Sequence, residues 1–198
     1  MKFHIKTLGC KINQADSARL EEALSRAGHQ AVASEQEADT LLVNSCTVTA
    51  EADRKSRQVV RNMGATHSRI AVLGCGVRID PGHWRTMTGE AQIFTHEADL
   101  LRHFGTSPSD TPLDTLISSR TRPLIAVQSG CDNSCAFCIT RLARGRHHSV
   151  PAATVIDRIQ SLHAQGVQEV VLTGINLAAW GCRESHQPHQ SDLGGLLQ

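Results

Sequence analysis

The chain has 198 residues, with 20 Lys+Arg against 19 Asp+Glu and a formal net charge of +1. That balance excludes a protein that holds nucleic acid by global charge alone, and 40% hydrophobic with 20% charged residues excludes a disordered chain. No apolar run approaches the ~20 residues of a membrane span, and the start Met1-Lys2-Phe3-His4-Ile5-Lys6 puts charge where a secretory signal has its apolar core; the expected setting is cytoplasmic, with no membrane partner.

Phe3–Leu8 reads as a strand and ends in Gly9-Cys10. Ala18, Leu20, Ala23, Leu24 and Ala27 then recur at helical spacing, with Gly28 as the stop. Thr40–Val43 is a short apolar strand running into Asn44-Ser45-Cys46. A charged helix is predicted over Glu51–Met63, with Val59, Val60 and Met63 on its inner side. Arg69–Leu73 is a third strand, ending in Gly74-Cys75-Gly76. Strands alternating with helices predict an α/β domain with a parallel, doubly wound sheet over residues 1–105.

Composition shifts to Ser, Thr, Pro and Asp over residues 106–122, which read as a linker with one turn at Leu113–Ile117. Beyond it, Leu124–Gln128 is a strand, Ala152–Gln165 a helix with Val155, Ile156, Ile159 and Leu162 inward, and Val167–Thr173 a strand ended by Gly174. Residues 175–192 are polar and contain His186 and His189, and a further helix is expected to start near Asp192. Two parallel strands and one crossover helix leave open edges and a small core, so the domain at 123–198 is expected to be truncated.

Seven cysteines in a chain of this kind point to metal or redox chemistry rather than a disulfide framework. Cys131, Cys135 and Cys138 fall within one short loop after a strand, spaced C-x₃-C-x₂-C, and can converge on one inorganic core. Fe–S clusters are held by thiolates, usually four, so three would leave one iron open. The rival is zinc, closed by His147 or His148. Cys10, Cys46 and Cys75 are far apart in sequence, yet each follows the end of a β-run (IKTLGC, LLVNSC, AVLGC). In a parallel sheet such points share the edge where ligands bind, so the three thiols are expected to meet; three independent half-buried thiols are the plain alternative. Cys182 has no repeated context and reads as incidental.

The Cys131–Cys138 run resembles the cluster motif of radical S-adenosylmethionine (SAM) enzymes. Thr7-Leu8-Gly9-Cys10-Lys11-Ile12-Asn13-Gln14, Asn44-Ser45-Cys46-Thr47-Val48-Thr49 and Leu73-Gly74-Cys75 resemble the N-terminal domain of methylthiotransferases. Over nearly its whole length the chain is thus similar to radical SAM methylthiotransferases. The resemblance implies an N-terminal parallel-sheet methylthiotransferase domain, then the first βα units of a truncated radical SAM (TIM-like) barrel, without the family's RNA-binding TRAM domain. It implies two 4Fe–4S clusters and SAM as cofactors, with Cys131, Cys135 and Cys138 holding the SAM cluster and Cys10, Cys46 and Cys75 the auxiliary one. Phe137 matches the aromatic position near the adenine. Gly174 and Asn176, at the end of the next strand, match the contact to the SAM amino group. Asn13 is implied as a support of the auxiliary cluster, with helix capping as the plain alternative. Thr140-Arg141-Leu142-Ala143 lacks the Pro and the aromatic that the family carries there.

The implied activity is sulfur insertion into an unactivated C–H bond, followed by methylation. Gly9-Cys10-Lys11 with Asn13 resembles the branch that converts N6-threonylcarbamoyladenosine(37) of tRNA to its 2-methylthio derivative. The branches acting on isopentenyladenosine tRNA or ribosomal protein S12 are alternatives, as is a catalytically incompetent fragment that binds clusters or zinc. Implied partners are tRNA, through an anticodon-loop adenosine, and an electron donor such as flavodoxin or ferredoxin, with no DNA. Two basic groups, Arg141, Arg144, Arg146, His147 and His148, and Arg54, Lys55, Arg57 and Arg61, suit backbone phosphates; solvated faces balanced by Glu51 and Asp53 are the plain alternative.

Overall fold

Thr40–Ser45 (β3) is buried at every residue, the mark of a strand covered on both faces. It pairs in parallel with Lys2–Thr7 (β1) on one side and Ile70–Gly74 (β4) on the other. Two short parallel edge strands, Gln30–Ala31 (β2) and Gln92–Ile93 (β5), complete a five-stranded sheet of order β2-β1-β3-β4-β5. The computed structural model describes residues 1–64, 69–89, 91–106, 122–182 and 193–197. The chain forms two units, Met1–Thr111 and Pro112–Gln198.

In the first unit, alternation along β3 sends Leu42 to one face and Leu41 and Val43 to the other. Leu42 joins Leu20, Ala23 and Leu24 of Lys11–Arg26 (α1) and Leu100 and Leu101 of Glu97–His103 (α5). Leu41 and Val43 pack with Val60 and Met63 of Ala50–Gly64 (α2), Val77 of Cys75–Ile79 (α3) and Trp84 of Pro81–Thr88 (α4). Each such fully buried side chain contributes about 1.5–3 kcal/mol. Gly28 closes α1 as its sequence predicts: the His29 N–H returns to Leu24 O at 3.1 Å and the Gly28 N–H to Ser25 O at 3.1 Å. Along β1, β3 and β4, order 2-1-3-4-5 reverses direction between β1 and β3. Ligands in doubly wound sheets bind at that reversal, beyond the carboxyl ends of the strands.

The second unit is built around one parallel crossover. Leu124–Ala126 (β6) pairs with Val171–Thr173 (β9) through the intervening Ala152–Ala164 (α7). Its core is Ile125, Val127, Val155, Leu162 and Trp180. Gln128–Ser129 (β7) and His148–Ser149 (β8) form an antiparallel pair, and the loop between them carries Cys131, Cys135 and Cys138 together with Thr140–Arg144 (α6). A last short helix, α8, spans Leu193–Leu196.

Three local expectations differ from the structure. The strand expected at Leu124–Gln128 divides at Val127, because Gln128 leaves the parallel ladder to pair with Ser149. The strand expected from Val167 begins only at Val171, since the Val167 N–H closes α7 on Leu162 O at 3.0 Å. Ile156, expected inward, is exposed. The expected linker at 106–122 lies almost wholly outside the described residues, as do the turn at 113–117 and His186 and His189.

Candidate functional site

The buried face of α1 changes character along its length. Its lower turns present Leu20, Ala23 and Leu24, whereas its first turns present Asn13 and Ser17, four residues apart on one face and both buried. Polar side chains are buried only where they find partners, and these two find them at the strand ends. Ser17 Oγ accepts from Thr7 Oγ1 at 2.8 Å and from Asn44 Nδ2 at 3.0 Å. Asn13 is fully buried; its Nδ2 donates to Leu8 O and to Ser45 O, both at 2.9 Å. With the nitrogen so committed, the carboxamide oxygen faces the thiols, accepting from Cys10 Sγ at 3.6 Å and Cys75 Sγ at 3.8 Å.

The third thiol is fixed from the other face of the sheet. Ser56 of α2, fully buried, accepts the Cys46 N–H at 3.1 Å and donates back to Ala52 O at 2.8 Å. Ser45 Oγ donates to Leu73 O at 2.7 Å, tying the ends of β3 and β4. The Cys46 side chain then lies against Gly9: a Cβ at that glycine would run into the Cys46 sulfur, and its φ of +99° is one that other residues rarely adopt. The carboxyl edge of β1, β3 and β4 therefore brings Cys10, Cys46 and Cys75 to one place, half-buried in the first case and buried in the other two. Asn13 thus bonds two of the three thiols, Cys10 and Cys75, and does not cap α1, whose N-cap is Cys10.

The donor set suits an iron–sulfur cluster: thiols without a carboxylate or imidazole among them. Among the described residues no three His, Cys, Asp or Glu side chains stand in a single-ion shell.

In the second unit Cys131 is half-buried, while Cys135 and Cys138 are exposed. The loop is held at its base by Cys131 N–H to Gly145 O at 3.1 Å, and turns on itself through Cys138 N–H to Cys135 O at 3.1 Å. The Thr140 hydroxyl and, secondly, the Thr140 backbone N–H bond the Cys138 sulfur and hold its pKa below the ordinary thiol value. Phe137 is 93% exposed, an apolar ring presented to solvent between two of the cysteines.

His147 points inward, apart from the basic group in which its sequence position places it. Its Nε2 lies 3.2 Å from Cys182 O, an acceptor only, so Nε2 carries the proton and Nδ1 accepts from Gln128 Nε2 at 2.9 Å. Both ring nitrogens are thus engaged, and His147 has none to offer a zinc ion. Arg144 reaches Ser129 Oγ at 3.5 Å and Arg146 Nε sits 3.6 Å from Asp132. On α2, Lys55 and Arg57 pair with Glu51 and Asp53 one turn earlier.

Residues 2–95 match the model of the Uncharacterized protein family UPF0004. The chain is 32% identical over 203 residues to a threonylcarbamoyladenosine tRNA methylthiotransferase of Bacillus subtilis, covering 90% of this chain and 44% of the relative. It is 29% identical over 202 residues to the enzyme of that name in Aquifex aeolicus, covering 91% of this chain and 49% of the relative. Over about nine-tenths of its length the chain is thus similar to tRNA methylthiotransferases. The chain spans about half the length of the curated relatives it matches. It is also 27% identical over 221 residues, all of this chain and 44% of the relative, to a tRNA-2-methylthio-N(6)-dimethylallyladenosine synthase of Roseiflexus.

Sequence reasoning singles out six cysteines but misses Ser17, Asn44, Ser45 and Ser56, the buried polar groups around Cys10, Cys46 and Cys75. Their signal is polar residues in runs otherwise destined for the core, as in Leu42-Val43-Asn44-Ser45. It also misses Gln128, which is 1% exposed and ends an apolar strand. Gly174 and Asn176 lie just past β9, beside that glutamine: Asn176 N–H donates to Gln128 Oε1 at 2.7 Å.

Proposed function

We propose that this chain carries the cofactor-holding machinery of a tRNA methylthiotransferase. The observation that carries the reading is the meeting of three strand ends: Cys10 and Cys75 on the Asn13 carboxamide oxygen, and Cys46 against Gly9, the neighbour of Cys10. These three thiols hold an auxiliary 4Fe–4S cluster. Cys131, Cys135 and Cys138 hold a second, to which SAM binds through Gly174 and Asn176, with Phe137 beside the adenine. When bound, that cluster and SAM supply the reductive cleavage that opens an unactivated C–H bond, the hard chemistry being the cofactor's.

The protein's own part is to place and to shield. Cys138 is held towards its thiolate by Thr140, which prepares it as an iron ligand. Arg141, exposed on α6, and Arg146 offer cations beside the cysteine loop for the phosphates of an anticodon loop. The substrate is the tRNA adenosine bearing the N6-threonylcarbamoyl group, on the strength of Gly9-Cys10-Lys11 with Asn13 and of the relatives of that name. The cytoplasm, where tRNA and a flavodoxin- or ferredoxin-type donor are at hand, is the setting. The linker at 106–122 separates residues 1–105 from 123–198.

Anaerobic reconstitution tests this reading, with iron, sulfide and zinc counted per chain. About eight irons are expected in the wild type and about four in a Cys131/Cys135/Cys138→Ala triple variant. Nucleosides of tRNA from cells that depend on this protein then report the 2-methylthio product. Stoichiometric zinc without labile sulfide would overturn it.

A further inference from the structure

Gln128 is placed where an apolar residue would be ordinary, between Val127 of the core and the first residue of the cysteine loop's base. A buried amide is costly unless both its ends are paired. Here both are. Oε1 accepts the Asn176 N–H at 2.7 Å, on the loop that follows β9. Nε2 donates to Gly130 O at 2.7 Å and lies 2.9 Å from Ser129 O and from His147 Nδ1. Gly130 immediately precedes Cys131, and the His147 N–H donates to Asp132 Oδ1 at 3.1 Å, inside the cysteine loop.

The far side of the link is equally close. A Cβ added at Gly174 would stand 2.8 Å from Leu177 Cδ2 and 3.0 Å from Gln128 Oε1, so the loop packs closely against the glutamine. Among the described residues no buried side-chain N or O atom is left without a partner. The amide is thus the middle of a satisfied chain: Asn176 N–H to Gln128, Gln128 to Gly130 and His147, and His147 to Cys182 O. Such a network, in low dielectric, costs most when a middle member is lost.

We infer that Gln128 is a positioning residue that locks the loop of Cys131, Cys135 and Cys138 to the loop of Gly174 and Asn176. The two halves of the SAM site then keep one spacing whether or not SAM is present. This rests on the SAM reading above; the contacts themselves do not.

The test uses the full chain with Gln128→Leu, close in volume and without polar ends, and Leu162→Ala as a control that weakens the core of the same unit away from both loops. Hydrogen exchange of the cluster-free chain should rise together in segments 129–132 and 174–177 in Gln128→Leu, and in neither segment selectively in Leu162→Ala. In reconstituted protein, Gln128→Leu should keep its iron content and bind SAM about tenfold more weakly by equilibrium dialysis, about 1.4 kcal/mol. Leu162→Ala should bind SAM as the wild type does. Deprotection of one segment alone, or the same SAM loss in both variants, would overturn the inference. A wild type that takes up a cluster but binds no SAM sinks the proposed function instead, and hydrogen exchange still decides the lock.

Discussion

The Cys75 thiol donates to the carboxamide oxygen of Asn13 at 3.8 Å, although 62 positions separate them in the sequence. The oxygen is aimed by the nitrogen, which is spent on Leu8 O and Ser45 O. Asn13→Ala should leave those two buried carbonyls unpaired at about 1–3 kcal/mol each, against a helix-propensity gain well below 1 kcal/mol. Asn13→Asp should be worse, because its carboxylate would face both carbonyls. Iron bound by the first triad, measured in the Cys131/Cys135/Cys138→Ala background, is expected to fall at least by about half in Asn13→Ala and further in Asn13→Asp. Full loading of the aspartate variant would refute the support role.

At Gly9 the constraint is steric and conformational together. Gly9→Ala must carry a Cβ into the Cys46 sulfur while holding φ near +99°. The strained backbone alone costs about 1–3 kcal/mol. A lowered urea midpoint together with loss of iron from the first triad is the expected pair of results; stability lost with iron retained would mean that Cys46 is no ligand.

The Cys138 sulfur titrates below an ordinary thiol, chiefly through the Thr140 hydroxyl. Of the cysteines in the cluster-free protein, it should therefore be alkylated by iodoacetamide at lower pH than a model thiol. Thr140→Val removes the larger cause, so the midpoint of the rate–pH profile should move up. Peptide mapping after timed alkylation reads both, and an unmoved midpoint would assign the shift elsewhere.

His147 separates zinc from iron. A zinc ion held by Cys131, Cys135, Cys138 and His147 would lose an imidazole in His147→Asn, and with it most of its affinity. The buried ring, engaged at both nitrogens, predicts instead that iron and sulfide per chain stay as in the wild type. Metal analysis after anaerobic reconstitution distinguishes the two.

The sheet of the first unit was legible because β1, β3 and β4 are apolar runs ending in the same way, with helical periodicity between them. Edge strands β2 and β5 were not: each pairs at only two positions, which register along β1 and β4 decides and local composition does not. The cysteines were legible from their repeated context. Asn13 was legible only as a residue of unsettled role, and its partners Leu8 O and Ser45 O come from the folded edge. Gln128 was hidden for a related reason. A polar residue ending an apolar run normally marks the return to solvent, and nothing local reveals that β8 and the turn after β9 will enclose it.

The two cysteine sets differ in how their members are spread along the chain. Cys131, Cys135 and Cys138 are neighbours on one loop, so an unfolded polypeptide can already wrap them round a metal at small entropic cost. Cys10, Cys46 and Cys75 meet only after β1, β3 and β4 have aligned, so they form no cavity in the nascent chain until all three strands have emerged and paired. On the proposed reading the loop set needs little folding to take up iron, whereas the sheet-edge set needs the whole first unit. Iron taken up at that edge would then report, at the level of a single chain, that the first unit has folded.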